Sequence, residues 1–301
     1  MDQSVPGIIF DENGFCNYCR EFKLHYDAYC EKDNKSKNYD IEALVKTIKT
    51  KNQKASYDCI IGLSGGVDSA WSLHTAVKHG LRPLAVHMDN GWNSELAQNN
   101  IENLVRSLEV DLYTHVIDWS EYKRLMQAFF DTDVIDIELL YDNAMLAVNY
   151  NQAKSHNIHW ILSGSNTSTE GMRMPDGWNW FKYDAKNIKS IARSQGIKSF
   201  KTFPLFGLKD FIINEYVRKI NWLPFLDYID YSKDSALDYM ELNYAYKRYP
   251  YKHYESIFTR FYQGYILPKK FNVDKRKLHF STLIITRQLE RGEAIEMLNN
   301  L

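Results

Sequence analysis

The chain has 301 residues, 45% of them hydrophobic, enough for a real core and for more than one domain. Its formal net charge is -1, so no global basic field points to nucleic acid. No apolar run approaches the roughly 20 residues of a membrane span, the opening Met1-Asp2-Gln3-Ser4-Val5-Pro6 lacks a basic and then apolar leader, and four cysteines are too few for a disulfide scaffold, so a reducing cytoplasm is the expected setting.

Residues 1–50 read as a polar N-terminal segment. Cys16-Asn17-Tyr18-Cys19 has the CxxC spacing of a zinc knuckle. A tetrahedral site needs two further ligands, and Cys30, His25 and His253 are candidates without a diagnostic spacing. A redox CxxC belongs near a βα junction, which this one is not. Structural zinc on Cys16 and Cys19 is the expectation, with a pair of unmetallated thiols as the alternative. Charged, turn-like residues 31–38 then lead to an amphipathic helix over Ile41–Lys51.

Residues 51–200 alternate strand and helix. Strands are expected over Asp58–Leu63, Leu81–Met88, Leu112–Val116 and Trp160–Ser163. Helices are expected over Ala70–His79, Asn93–Leu108, Tyr122–Phe130 and Asp142–His156. That rhythm predicts an α/β fold with a parallel, doubly wound sheet covered on both faces. Ligands on such sheets sit beyond the carboxyl ends of the strands, so the loops after strands one, two and four are expected to converge.

The first of these loops carries the sharpest signal. Ser64-Gly65-Gly66-Val67-Asp68-Ser69 joins an apolar strand to a helix. Unpaired N–H groups and the helix dipole favour a phosphate there. Gly65 and Gly66 permit close backbone approach, Ser64 and Ser69 add hydroxyls, and Asp68 is a metal or capping candidate. The Gly-Lys-Ser/Thr ending of a Walker loop is missing. In the second loop, Met88 and Asp89 precede Asn90-Gly91; they suit a nucleoside site or, equally, a plain turn. The third offers Gly164, a run of hydroxyls and Glu170, which with Asp68 would give Mg²⁺ its one or two carboxylates. Arg173 and Lys182 follow, placed to meet an α-phosphate if the loop folds back.

Past Phe203-Pro204-Leu205-Phe206-Gly207 the pattern turns helical and aromatic. Residues 201–301 read as an α-rich C-terminal domain for substrate or partner binding. Basic residues concentrate between Lys247 and Arg276.

The Ser-Gly-Gly-Val-Asp-Ser string resembles the PP-loop ATP pyrophosphatases, which cleave ATP between the α- and β-phosphates and adenylate an oxygen of the substrate. Three further stretches narrow the resemblance: Pro6 to Cys19, Lys182 to Ile188, and Lys252 to Phe271 with Asp274-Lys275-Arg276. Together they are similar to the N-acetyl sugar amidotransferases of bacterial surface-polysaccharide synthesis. The resemblance implies ATP bound by Ser64, Gly65, Gly66, Asp68, Ser69, Met88, Asp89 and Gly164. It implies Mg²⁺ at Asp68 and Glu170, and catalysis supported by Asp68, Glu170, Arg173 and Lys182. Arg260, Lys269, Lys270 and Arg276 would grip an anionic nucleotide-linked sugar. Ammonia would come from glutaminase and cyclase-like partner subunits, since no glutaminase is legible here. Neither nucleic acid nor membrane is an expected partner. The alternative within the superfamily is a tRNA-modifying, thiolase-like enzyme, which would want a broad basic face. A non-catalytic nucleotide-binding subunit is the alternative outside catalysis.

Overall fold

Five short strands make one sheet: β1 (Cys59–Leu63), β2 (Pro83–Asp89), β3 (Leu112–Val116), β4 (Trp160–Ser163) and β5 (Asn221–Pro224). Their order is β3-β2-β1-β4-β5, and every neighbouring pair is parallel. The computed structural model describes residues 1–35, 41–249 and 254–299.

The period-2 alternation of a strand explains how two cores form. Ile60 of β1, Leu84, Val86 and Met88 of β2, and Ile161 of β4 face one cluster. Cys59, Ile61 and Leu63 of β1, Ala85 of β2 and Leu162 of β4 face the other. The first is covered by α5 (Trp119–Asp131), α6 (Leu139–Ser155) and α8 (Ala185–Ser194). The second is covered by α2 (Ile41–Lys51), α3 (Val67–Lys78), α4 (Glu95–Ser107) and α10 (Lys233–Tyr244). A central strand buried on both faces must be apolar on both, and β1 is.

The expected α/β parallel sheet is therefore the observed one. The expected bounds of α2, β3 and β4 coincide with the structure. Among the elements not read from the sequence, besides α7 (Thr167–Glu170) and α8, two stand out. α1 (Asn17–Lys35) is a helix where only a polar lead-in was expected. β5 is four residues long and ends in Pro224, a residue tolerated at a sheet edge because an edge needs fewer N–H donors. After β1 the chain steps outward through β2 to β3, then returns to β4 on the other side of β1. The reversal lies between β1 and β4, and that is where an open parallel sheet leaves a crevice.

The remaining α-helices are α7 (Thr167–Glu170), which directly follows β4, α9 (Leu208–Ile212), α11 (Ile257–Phe261), α12 (Leu267–Phe271), α13 (Lys275–Ile285) and α14 (Arg291–Asn299). Among the described residues no helix is long and apolar enough to cross a membrane.

Candidate functional site

The turn after β1 is built from its own serines. Ser64 Oγ accepts from Gly66 N at 3.2 Å, and Ser69 Oγ donates to Gly66 O at 3.0 Å. Gly65 has φ +88°, and a Cβ there would lie 2.8 Å from Ala97 Cβ and 2.9 Å from Ala97 Cα of α4. Both conformation and space therefore demand glycine. Gly66 is the N-cap of α3 and no side chain caps it, whereas Ser94, Asp118 and Asp184 cap α4, α5 and α8. An uncapped helix start with a glycine entry is suited to an anion.

The loop after β4 meets this turn directly. A Cβ on Gly164 would fall 2.7 Å from Ser69 N and 2.8 Å from Asp68 C. Asn166 caps α7, accepting from Thr169 N at 2.9 Å. Asp227 accepts from Thr167 N at 2.7 Å and from its hydroxyl at 2.8 Å. On the far side, Thr169 O meets His279 Nδ1 of α13 at 3.2 Å. Glu170 closes α7. The Tyr231 hydroxyl donates to Asp68 Oδ1. Its phenol is pushed well up, first by burial and then by Asp68, with Glu170 adding to the effect. Asp68 touches this phenol directly, and the Glu170 charge acts on it from farther off. Two carboxylates beside an anion cradle are a donor set that fits Mg²⁺.

Met88 is buried, and Asp89 closes its own turn, accepting from Gly91 N at 2.9 Å. His87 Nδ1 lies 2.8 Å from Leu63 O and its Nε2 3.1 Å from Asn93 Nδ2. A carbonyl only accepts and an amide NH₂ only donates, so His87 is the neutral Nδ1–H tautomer. Burial lowers its pKa, consistent with that state. Residues after α10 then add to this loop. Asn93 and Ser256 form an antiparallel bridge, Ser94 N donates to Glu255 O at 2.9 Å, and Ile257 N to Trp92 O at 2.9 Å. A Cβ on Gly66 would sit 3.7 Å from the Glu255 carboxylate. Glu255 was not singled out from the sequence, because nothing local links it to residue 66.

The remaining candidates do not form one cluster. Lys182 bonds Asp136 at 2.7 Å and Asp142 at 2.9 Å. Burial pulls its pKa down, but the two carboxylates more than reverse this and hold it up at about 12. Asp136 is 3% exposed and its Oδ1 has no hydrogen-bond partner. Arg173 lies elsewhere, over the Tyr18 ring and beside Glu21 and Asp176. Arg260 stacks on Tyr254, Lys270 pairs with Asp133, Arg276 with Asp274, and Lys269 is exposed.

Cys19 N donates to Cys16 Sγ at 3.3 Å. The contact with Cys19 brings the Cys16 thiol down to about 6 and pushes Cys19 up. Among the described residues no group of three or more His, Cys, Asp or Glu is placed to hold a metal, so the zinc expectation finds no third ligand there. His253, one candidate, lies outside the described residues, as does Lys252 of the basic stretch.

No curated protein matches the chain. Among solved structures, the NH3-dependent NAD synthetase from Campylobacter jejuni is 17% identical over 70% of this chain and 96% of that one, with TM-score 0.34. The NMN synthetase from Francisella tularensis is 16% identical over 78% and 99%, with TM-score 0.32. A predicted tRNA methyltransferase subunit from Methanocaldococcus jannaschii is 16% identical over 53% and 75%, with TM-score 0.28. At such scores none of the three bears on what this chain binds or does. The family model is more specific: residues 255–301 match the C-terminal domain of the WbpG-like LPS biosynthesis proteins. That match begins at Glu255, where the chain pairs with the β2 loop beside Gly66. The C-terminal segment thus carries the signature of the WbpG-like lipopolysaccharide-biosynthesis proteins, as the resemblance of residues 252–276 to surface-polysaccharide enzymes led us to expect.

Proposed function

We propose that this chain is an ATP-dependent amidotransferase acting on a nucleotide-linked N-acetyl sugar for O-antigen synthesis. The carrying observation is the meeting of three features at the carboxyl ends of β1, β2 and β4. They are an uncapped, glycine-entered helix, the Gly164 backbone against Asp68 and Ser69, and the start of a WbpG-like segment.

An acetamido carbonyl is a poor electrophile. In the proposed reaction its oxygen attacks the α-phosphorus of ATP, an O–P bond forms, and pyrophosphate leaves. Ammonia adds to the carbon, AMP departs with the oxygen, and loss of protons gives the acetamidino group. The protein's part is alignment and charge neutralisation. Backbone N–H groups from Gly66 to Ser69, with the Ser64 and Ser69 hydroxyls, hold the pyrophosphate moiety. Met88 and Asp89 lie at the nucleoside end. Asp68 and Glu170 are the residues that would hold Mg²⁺, whose charge offsets that of the phosphates. Lys182, kept cationic by its carboxylates, is assigned to the adenylated oxygen, while Arg173, which lies elsewhere over the Tyr18 ring, is given no part in that contact. Arg260, Lys269, Lys270 and Arg276 are assigned to the sugar nucleotide. Ammonia is assigned to glutaminase and cyclase-like partner subunits.

The test incubates the protein with ATP, Mg²⁺, ammonium and a panel of acetamido and diacetamido sugar nucleotides. AMP release should accompany a product lighter by the difference between O and NH. AMP formation that requires tRNA, with none from any sugar, would replace this reading with the tRNA-modifying one.

A further inference from the structure

The Gly65 carbonyl is held by two phenols. Tyr246 and Tyr249 each donate to Gly65 O at 3.0 Å. Both follow α10, far along the chain from the turn they touch. Asn100 of α4 fixes them in place. It is 2% exposed, donates to Lys247 O at 3.0 Å and to the Tyr249 hydroxyl at 3.3 Å, and accepts from Lys247 N at 2.9 Å. A third phenol, Tyr231, donates to Asp68 Oδ1. Three hydroxyls from one stretch of chain therefore meet the turn at residues 65 and 68, and Ala97 of α4 packs against Gly65 as well.

A trans peptide points its C=O and N–H in opposite directions. Fixing Gly65 O on two tyrosines turns the Gly66 N–H away from them, to the side where Ser64 Oγ lies at 3.2 Å. Gly65 would otherwise be the freest hinge of the turn, since glycine populates both signs of φ. Two donors occupy both lone pairs of the carbonyl, so rotating the peptide would strand a buried acceptor. Phenylalanine at 246 and 249 would fill the same space without supplying this constraint.

We propose that Tyr246 and Tyr249 are positioning residues that aim the Gly65–Gly66 peptide at a polyphosphate, and that Tyr231 aims Asp68 at the same ligand. This rests on the reading that the turn binds the terminal phosphates of ATP. The test is calorimetric titration of the full chain with pyrophosphate and with AMP, both with Mg²⁺. Wild type should bind pyrophosphate. The Tyr246→Phe/Tyr249→Phe variant should bind it about tenfold or more weakly while keeping its AMP affinity. Tyr231→Phe should weaken pyrophosphate binding with Mg²⁺ and leave the Mg²⁺-free value unchanged. If the double variant does not fold, each single variant should show a roughly threefold loss. Wild-type binding with unchanged variants would overturn the positioning role alone. Equal losses for pyrophosphate and AMP would reduce the tyrosines to packing. No pyrophosphate or ATP binding by wild type would instead sink the phosphate-turn reading itself.

Discussion

Gly164→Ala tests whether the two loops really share one site. Gly164 does not need a positive φ, so alanine brings no dihedral cost. Its only effect is the methyl group, placed 2.7 Å from Ser69 N, 2.8 Å from Asp68 C and 3.0 Å from Asp68 O. These are backbone atoms of the first turn of α3, not a side-chain tip that swings aside. Overpacking of this kind costs about 1–3 kcal/mol. For a chain of this size that corresponds to a fall in Tm of roughly 2–12 °C. Relief must part the Gly164 loop from the 68–69 peptide, and that peptide carries the Ser69 N–H, one of those assigned to phosphate. Nucleotide affinity should therefore fall by about tenfold or more, since each 1.4 kcal/mol or so is a factor of ten. Differential scanning fluorimetry and calorimetric titration with ATP read the two effects. Gly264→Ala is the matched control: it has no atom within 4 Å of the new Cβ, lies in a helix, and should be neutral or slightly stabilising. A Gly164→Ala protein with wild-type Tm and wild-type ATP affinity would refute the close apposition of the β1 and β4 loops.

Asp58 is buried and accepts from Arg82 N, Nε and Nη2 at 2.8, 3.1 and 2.8 Å; Arg82 itself is half exposed, so Asp58→Ala should cost about 1.5–3 kcal/mol in urea denaturation, the worth of the lost charged hydrogen bonds. Glu121 gathers the backbone N–H groups of Lys201, Thr202 and Phe203 at 2.8, 3.2 and 2.6 Å, so Glu121→Ala should lose about 2–3 kcal/mol and expose that segment to proteolysis. In the fold the Lys182 ammonium is pushed up to about 12 from the ordinary lysine value of 10.5, its carboxylates outweighing the pull of burial. A raised lysine pKa stabilises below the unfolded value and loses that stabilisation as the pH climbs through the folded one. About 2 kcal/mol should therefore be present below pH 10.5 and vanish towards pH 12, a component missing from the titration of Lys182→Met.

What was legible in the sequence is what depends on neighbours along the chain. β3 and β4 were bounded correctly because each is a short run of β-forming residues that can be read from its immediate neighbours. The Ser64–Ser69 turn was legible for the same reason. β5 was not, since four residues ending in proline give no period to read. The Lys182 carboxylates were not, because Asp136 and Asp142 lie some forty residues upstream and meet it only after α6 packs. Tyr231, Tyr246, Tyr249 and Glu255 escaped too: a chain with 21 tyrosines offers no reason to prefer three of them.

These unseen residues have a common logic. A glycine-entered, uncapped turn is well suited to anions because its helix-start N–H groups lack a side-chain cap and its glycines are adaptable, yet adaptability alone would leave its N–H groups unaimed. Local sequence cannot cure that, since any side chain bulky enough to stiffen residue 65 would strike Ala97. The constraint has to arrive from elsewhere in the chain. Here it comes from two directions: phenols after α10 on Gly65 O, and Glu255 and Ser256 paired with the loop after β2. His279 of α13 reaches Thr169 O beside Glu170 as well. The residues that match the WbpG-like model therefore touch two of the three loops at the sheet's carboxyl end. A C-terminal segment serving only as a detached substrate clamp would have no need of such contacts. On the function proposed above, a segment that helps to build the phosphate site would need both.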